Sequence, residues 1–258
     1  MSRFGNLEFD AESDGEFQAA GPAKKDETYY LAGARQSFED AEFEKALRWY
    51  AKTLEFNPQN AAAWTGQVRA LIELGEFREA KVWADKALEN FPHEPELLAA
   101  KAVALGRGGD LDAALAFSDA AIEERGDTPY IWLARADVLL ARKENRADYC
   151  FDKALAMARG DWFTAWLAAR IRHYYEQCVA AIKLLQQALE WDATRFVLWL
   201  ELGQCQLALG QAGAAGRSFS RAQELNPECT EARLAKTRAA STGLGARLAG
   251  FWRRRFSR

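Results

Sequence analysis

Histidine, methionine and proline are scarce in this chain of 258 residues, at two, two and six copies. His93 and His173 each lack a companion at metal-ligand spacing, so neither marks a metal site. The four cysteines, Cys150, Cys178, Cys205 and Cys229, show no C-x-x-C pattern. That argues against zinc or a disulfide framework and for reduced thiols in or beside helices. No Gly-Lys-Ser/Thr follows the glycines between Gly106 and Asp110, which removes a phosphate loop. There is no apolar run of about 18 residues to span a membrane, and the opening MSRFGNLEFD carries acids where a secretory leader needs an apolar stretch. The expectation is a cytoplasmic, non-catalytic protein with no cofactor and no metal.

Acids are missing from one end. After Glu231 the chain holds eight basic residues and no carboxylate side chain, against a net −11 for residues 1–231 and −3 for the whole. A basic tail therefore follows an acidic body, and the body's charge would repel nucleic acid.

What the chain does have is a period. Pro58 and Pro92 stand 34 residues apart, and small and aromatic residues recur around them: Ala46, Tyr50 and Pro58, then Trp64, Gly75, Ala80, Ala87 and Pro92. Counting on, repeats begin at Glu27, Ala61, Pro95, Pro129, Trp162 and Phe196. The third keeps Gly109, Ala114 and Ala121 but has Gly126 in place of the proline. One residue is deleted from the fourth before Ala147. The fifth matches least, with Trp166 one place late and no glycine at its turn. The sixth is clearest, with Trp199, Leu202, Gly203, Gly210, Ala215, Phe219, Ala222 and Pro227. Two antiparallel helices approach within about 8–10 Å only where facing side chains are short, which assigns Ala80, Ala114 and Ala215 to helix contacts. Glycine accepts the left-handed backbone that ends a helix, and proline stops the second helix of a pair.

This ladder resembles the tetratricopeptide repeat (TPR) family. The resemblance implies an all-α, right-handed solenoid of about six helix-turn-helix repeats over 27–229, preceded by a disordered acidic leader at 1–26. A capping helix at 230–242 and a basic amphipathic tail at 243–258 complete the expected organisation. The family's concave face is built from the first helix of each repeat, and it implies a protein partner in that groove. The positions are Leu31, Arg35 and Phe38, then Thr65, Arg69 and Ile72, then Tyr130, Leu133 and Asp137, and finally Leu200 and Gln204. Arg35 and Arg69, flanked by Phe38 and Ile72, suit a segment carrying an acid beside an apolar residue; a plain solvated face is the alternative. The lysine and asparagine clamp that some family members use for chaperone C-termini is absent.

Two further segments fall outside the period. Phe4, Leu7 and Phe9 form a short apolar cluster in the leader, either a docking motif for a partner or this chain's own groove, or part of a solvated tail. In the tail, Leu248, Phe251, Trp252 and Phe256 share one side of a helix, with Arg253 and Arg254 elsewhere and Arg255 within the apolar arc. Aromatics beside arginines suit an anionic membrane surface first, then an acidic partner protein or groove, with nucleic acid or a solubilising tail as the remaining readings. In layout the chain also resembles the bacterial kinesin-light-chain-like repeat proteins that accompany bacterial tubulin, although kinesin light chains use longer repeats. That likeness implies binding to a tubulin-type filament, with attachment to the inner face of a membrane. A self-assembling scaffold on an organelle or membrane surface, or an assembly or secretion adaptor, are the alternatives.

The register makes Ala215 a helix-contact position. Ala215→Leu is expected to lower stability by about 1–3 kcal/mol through overpacking, read as the shift of the urea unfolding midpoint.

Overall fold

The computed structural model describes residues 25–124 and 127–241, and these are helical throughout apart from turns. Twelve helices alternate in antiparallel pairs: α1 (Glu27–Glu39), α2 (Phe43–Phe56), α3 (Ala61–Glu73), α4 (Phe77–Asn90), α5 (Pro95–Arg107), α6 (Leu111–Glu123), α7 (Pro129–Ala141), α8 (Ala147–Ala158), α9 (Trp162–Tyr174), α10 (Cys178–Trp191), α11 (Phe196–Ala208) and α12 (Ala212–Leu225). A further helix runs over 230–241. Two compact units divide within α8, one ending at Cys150 and the other beginning at Phe151.

Small side chains set the packing. Ala46, Ala80, Ala114, Ala147, Ala181 and Ala215 recur along the second helices and are at most 2% exposed. Two turns further on, Ala87, Ala121, Ala154, Ala188 and Ala222 are fully buried, with Thr53 in the same row. Thr53 satisfies its hydroxyl locally by donating to the Trp49 carbonyl at 3.0 Å. Close approach also explains Gly203: a Cβ there would lie 2.4 Å from the Phe219 ring, inside contact distance. In the first unit α1 packs on α3, α3 on α5 and α5 on α7; in the second, α9 packs on α11. First helices thus line up side by side within each unit, as a groove requires.

Each hairpin turns in the same way. The residue in left-handed conformation is Ala41, Gly75, Lys143, Glu176 or Gly210 in turn, with Gly109 in the third hairpin. Its N–H donates to a carbonyl three residues back, and the next N–H to one five back. In the second hairpin these are Gly75 to Ile72 at 3.0 Å and Glu76 to Leu71 at 3.0 Å; in the fifth, Glu176 to His173 at 2.9 Å and Gln177 to Arg172 at 2.8 Å. This paired bonding is the Schellman arrangement. Three of the turns use no glycine, and side chains brace them. Arg142 donates to Glu144 at 2.8 Å, Arg172 to Gln177 at 2.5 Å and Gln36 to Asp40 at 2.9 Å.

Helix starts follow local rules too. Asp26, Asn60, Asp110 and Asp161 accept backbone N–H groups of the first turn, and Pro95 and Pro129 occupy the first helical position. Trp64 and Trp199 tie each first helix to the preceding connection by donating to the Pro58 and Ala193 carbonyls at 2.8 and 2.9 Å. The deletion in the fourth hairpin falls between Lys143 and Ala147, and α8 begins directly at the buried Ala147, a turn later than α4 or α10 begins relative to Ala80 or Ala181. The helix over 230–241 places Ala232, Ala235 and Ala239 on Leu200, Ala215, Phe219 and Ala222. That covers the apolar face of the sixth hairpin.

Around Gly210, with φ of 74°, nothing lies within 4 Å of an added Cβ. Gly210→Ala should therefore cost only the left-handed backbone penalty, about 1 kcal/mol. Glu176→Gly should leave stability equal or higher, with both read by urea denaturation.

Candidate functional site

The first-helix face of the first unit is organised by Arg69. Its guanidinium lies 3.9 Å from the ring centre of Tyr130, from α7, and 5.2 Å from that of Phe38, from α1. Cation–π contacts of this kind occupy the flat faces of the guanidinium and leave its N–H edge for a planar anion. No hydrogen bond or ion pair engages that edge among the described residues. Arg35, one helical turn before Phe38, is exposed and also without an ion pair among the described residues, and Leu31 is half-buried a turn earlier. Burial pushes the Tyr130 phenol well above its ordinary pKa, although the Arg69 charge opposes this. Tyr130 therefore stays a neutral aromatic wall.

Not every groove position is surface. Thr65, Ile72 and Leu133 are buried at 4%, 4% and 1% exposure, and Phe38 at 4% offers only its ring to Arg69. They support the face because adjacent first helices pack directly on one another. Asp137 requires a correction. It is 1% exposed, and its Oδ2 accepts two N–H groups of Arg107 at 2.6 and 3.1 Å while its Oδ1 accepts at 3.4 Å, so it holds α7 to α5 and is not available to a ligand. Arg107 is itself only 6% exposed at the side chain. A buried pair of this geometry is costly to break from one side.

In the second unit Leu200 is buried and belongs to the apolar cluster beneath the helix over 230–241. Gln204 donates to Glu231 at 2.6 Å. It lines a cleft of about 480 Å³ together with Leu207, Leu234 and Arg238. The leader residues Phe4, Leu7 and Phe9 and the tail residues Leu248, Phe251, Trp252, Arg253, Arg254, Arg255 and Phe256 lie outside the described residues, as does Gly126.

Spacing along the chain hid one grouping. His173, Cys178 and Cys205 bring their ligating atoms within 4.8 Å of one another. The expectation that His173 has no metal-ligand companion is therefore corrected. The turn at Glu176 folds Cys178 back onto His173, and α11 supplies Cys205 from the next hairpin. Burial, with Glu201 and Cys178 adding to it, pushes the Cys205 thiol well above its ordinary pKa. Only knowledge of the turn, which no glycine announces, would have found this cluster.

A stack of antiparallel hairpins whose first helices line up within each unit defines a helical-repeat protein. The tetratricopeptide repeat family model matches residues 37–104 and 176–239, just over half of the chain, and the chain belongs to this family. No curated protein matches it in sequence. Among solved structures it is similar to a tetratricopeptide repeat protein from Parabacteroides merdae, at 15% identity and a TM-score of 0.54, over 83% of this chain and 84% of that one. Yeast Tom70 aligns at 17% identity and a TM-score of 0.53, over 86% of this chain and 48% of that one. Human IFIT1, solved as a dimer with m7Gppp-AAAA, aligns at 20% identity and 0.52, over 86% and 57%. The chain spans about half the length of these last two, and the likeness at such identity concerns the fold. No described helix is long and apolar enough to cross a membrane.

Asp137→Ala is expected to destabilise the first unit by about 3–5 kcal/mol because it removes one side of the buried pair with Arg107. The double variant Arg107→Met with Asp137→Leu should recover most of that loss in the same denaturation measurement.

Proposed function

We propose that the chain is a non-catalytic protein-interaction adaptor whose first unit grips a segment carrying a carboxylate next to an apolar side chain. The observation that carries this reading is the Arg69 guanidinium, held over the Tyr130 and Phe38 rings with no hydrogen bond or ion pair on its N–H groups among the described residues. Restricting a guanidinium in advance lowers the ordering cost of binding, and its fork matches a carboxylate. Arg35 adds a second cation, and Leu31 and the Tyr130 ring supply apolar contact. Nucleic acid is disfavoured, since residues 1–231 carry a net −11.

The finer reading has a tubulin-type filament as the partner and an anionic membrane at the inner face of the cell as a second attachment. Its support is the likeness in layout to the bacterial kinesin-light-chain-like proteins and the arginine and aromatic composition of 244–258. A self-assembling scaffold, with the Phe4, Leu7 and Phe9 segment seated in a neighbour's groove, is the other reading that this composition supports.

Binding of fluorescent peptides with Glu or Asp beside Leu or Phe tests the proposal against the same peptides bearing Gln or Asn. Charge-assisted bonds contribute about 1.5–3 kcal/mol, so Arg69→Ala and the amide peptides should each lose roughly 10- to 150-fold in affinity. Added salt should weaken the complex further. Equal binding of acid and amide peptides would contradict the proposal.

A further inference from the structure

The cluster of His173, Cys178 and Cys205 lies in the second unit, apart from the groove residues of the first. From its geometry we infer a zinc(II) site, with Cys178 Sγ, Cys205 Sγ and His173 Nε2 as three protein ligands and one open position. The donor set is that of zinc, with two thiols and an imidazole. The two sulfurs and a ring nitrogen of His173 lie within 4.8 Å of one another, at most about 1 Å wider than the separations that bonds of roughly 2.0–2.3 Å impose on a tetrahedron. A metal would draw them together.

What surrounds the ligands strengthens the assignment. His173 Nδ1 lies 2.6 Å from Glu201 Oε1, and Glu201, 3% exposed, takes a second bond from Arg170 at 3.0 Å. A carboxylate on the far nitrogen orients a metal-ligating histidine and fixes its tautomer, leaving Nε2 for the ion. Charge selects the metal. Glu201 is balanced by Arg170, so the two thiolates are neutralised by one divalent cation, whereas a monovalent one leaves a buried negative charge. Cys205 is fully buried and Cys178 is 6% exposed. Access runs through a shallow cleft of about 380 Å³ that Cys178 lines with Glu176, Lys183 and Leu209. Zinc binding expels the thiol protons, and each departs to solvent as its sulfur bonds the ion.

The test uses the full chain, kept reduced and stripped of metal, titrated with zinc(II) against a chromophoric chelator. Cobalt(II) serves as the spectroscopic probe and copper(I) as a separate arm. One zinc per chain is expected, with a thiolate-to-cobalt charge-transfer band that disappears in Cys178→Ser and in Cys205→Ser. Cys150→Ser and Cys229→Ser should keep it, and Glu201→Gln should weaken zinc by about 10- to 100-fold. Circular dichroism establishes that each variant is helical; the wild-type chain decides the question if one is not. Failure of the reduced wild-type chain to take up zinc would overturn the site, as would a cobalt band that survives loss of Cys178 and Cys205. Uptake of copper(I) without zinc would overturn the choice of metal.

Discussion

Close approach of helices at alanine is the constraint on which everything else in this protein depends. Rows such as Ala46, Ala80 and Ala114 let the second helix of each hairpin nestle on the first, and a larger side chain at any of them would force neighbouring rings out of place. The rings need that closeness. Phe219 is fully buried against Gly203, which shows the limit, since not even a methyl group fits beside the ring. The same spacing lines up first helices within each unit, and with them the side chains that can meet a partner.

Much of this is visible in residue types. Glycines at 75, 109 and 210 mark turns because only glycine enters the left-handed region without cost, and their φ values are 78°, 95° and 74°. The turns at Ala41, Lys143 and Glu176 are invisible to that logic. There the hydrogen-bonded arrangement and a bracing side chain, such as Arg172 on Gln177, hold an ordinary residue in the same conformation. Turn geometry is therefore set by the packed helices on either side, and glycine lowers its cost without being required.

The candidate sites were less legible, for a related reason. A repeat register says which helix face a residue occupies but not which partner it finds 30 residues away. Asp137 sits on the groove side of α7, yet Arg107 from α5 holds its Oδ2 with two N–H groups and reaches its Oδ1 at 3.4 Å in a buried pair. Arg69 faces the same way and finds aromatic faces instead, so its charge stays available while its position is fixed. His173, Cys178 and Cys205 meet only after one turn and one further hairpin have folded. Family membership fixes the architecture of the chain, and the ligand follows from such local pairings.

The most direct measurement places a photoreactive amino acid at Leu31, beside Arg35 on the first-helix face, or at Val82, 62% exposed on α4, and identifies the protein crosslinked in native extract. The account predicts a discrete adduct from Leu31, none from Val82, and competition by an acidic and apolar peptide. Adducts formed from Val82 while Leu31 yields none would contradict it.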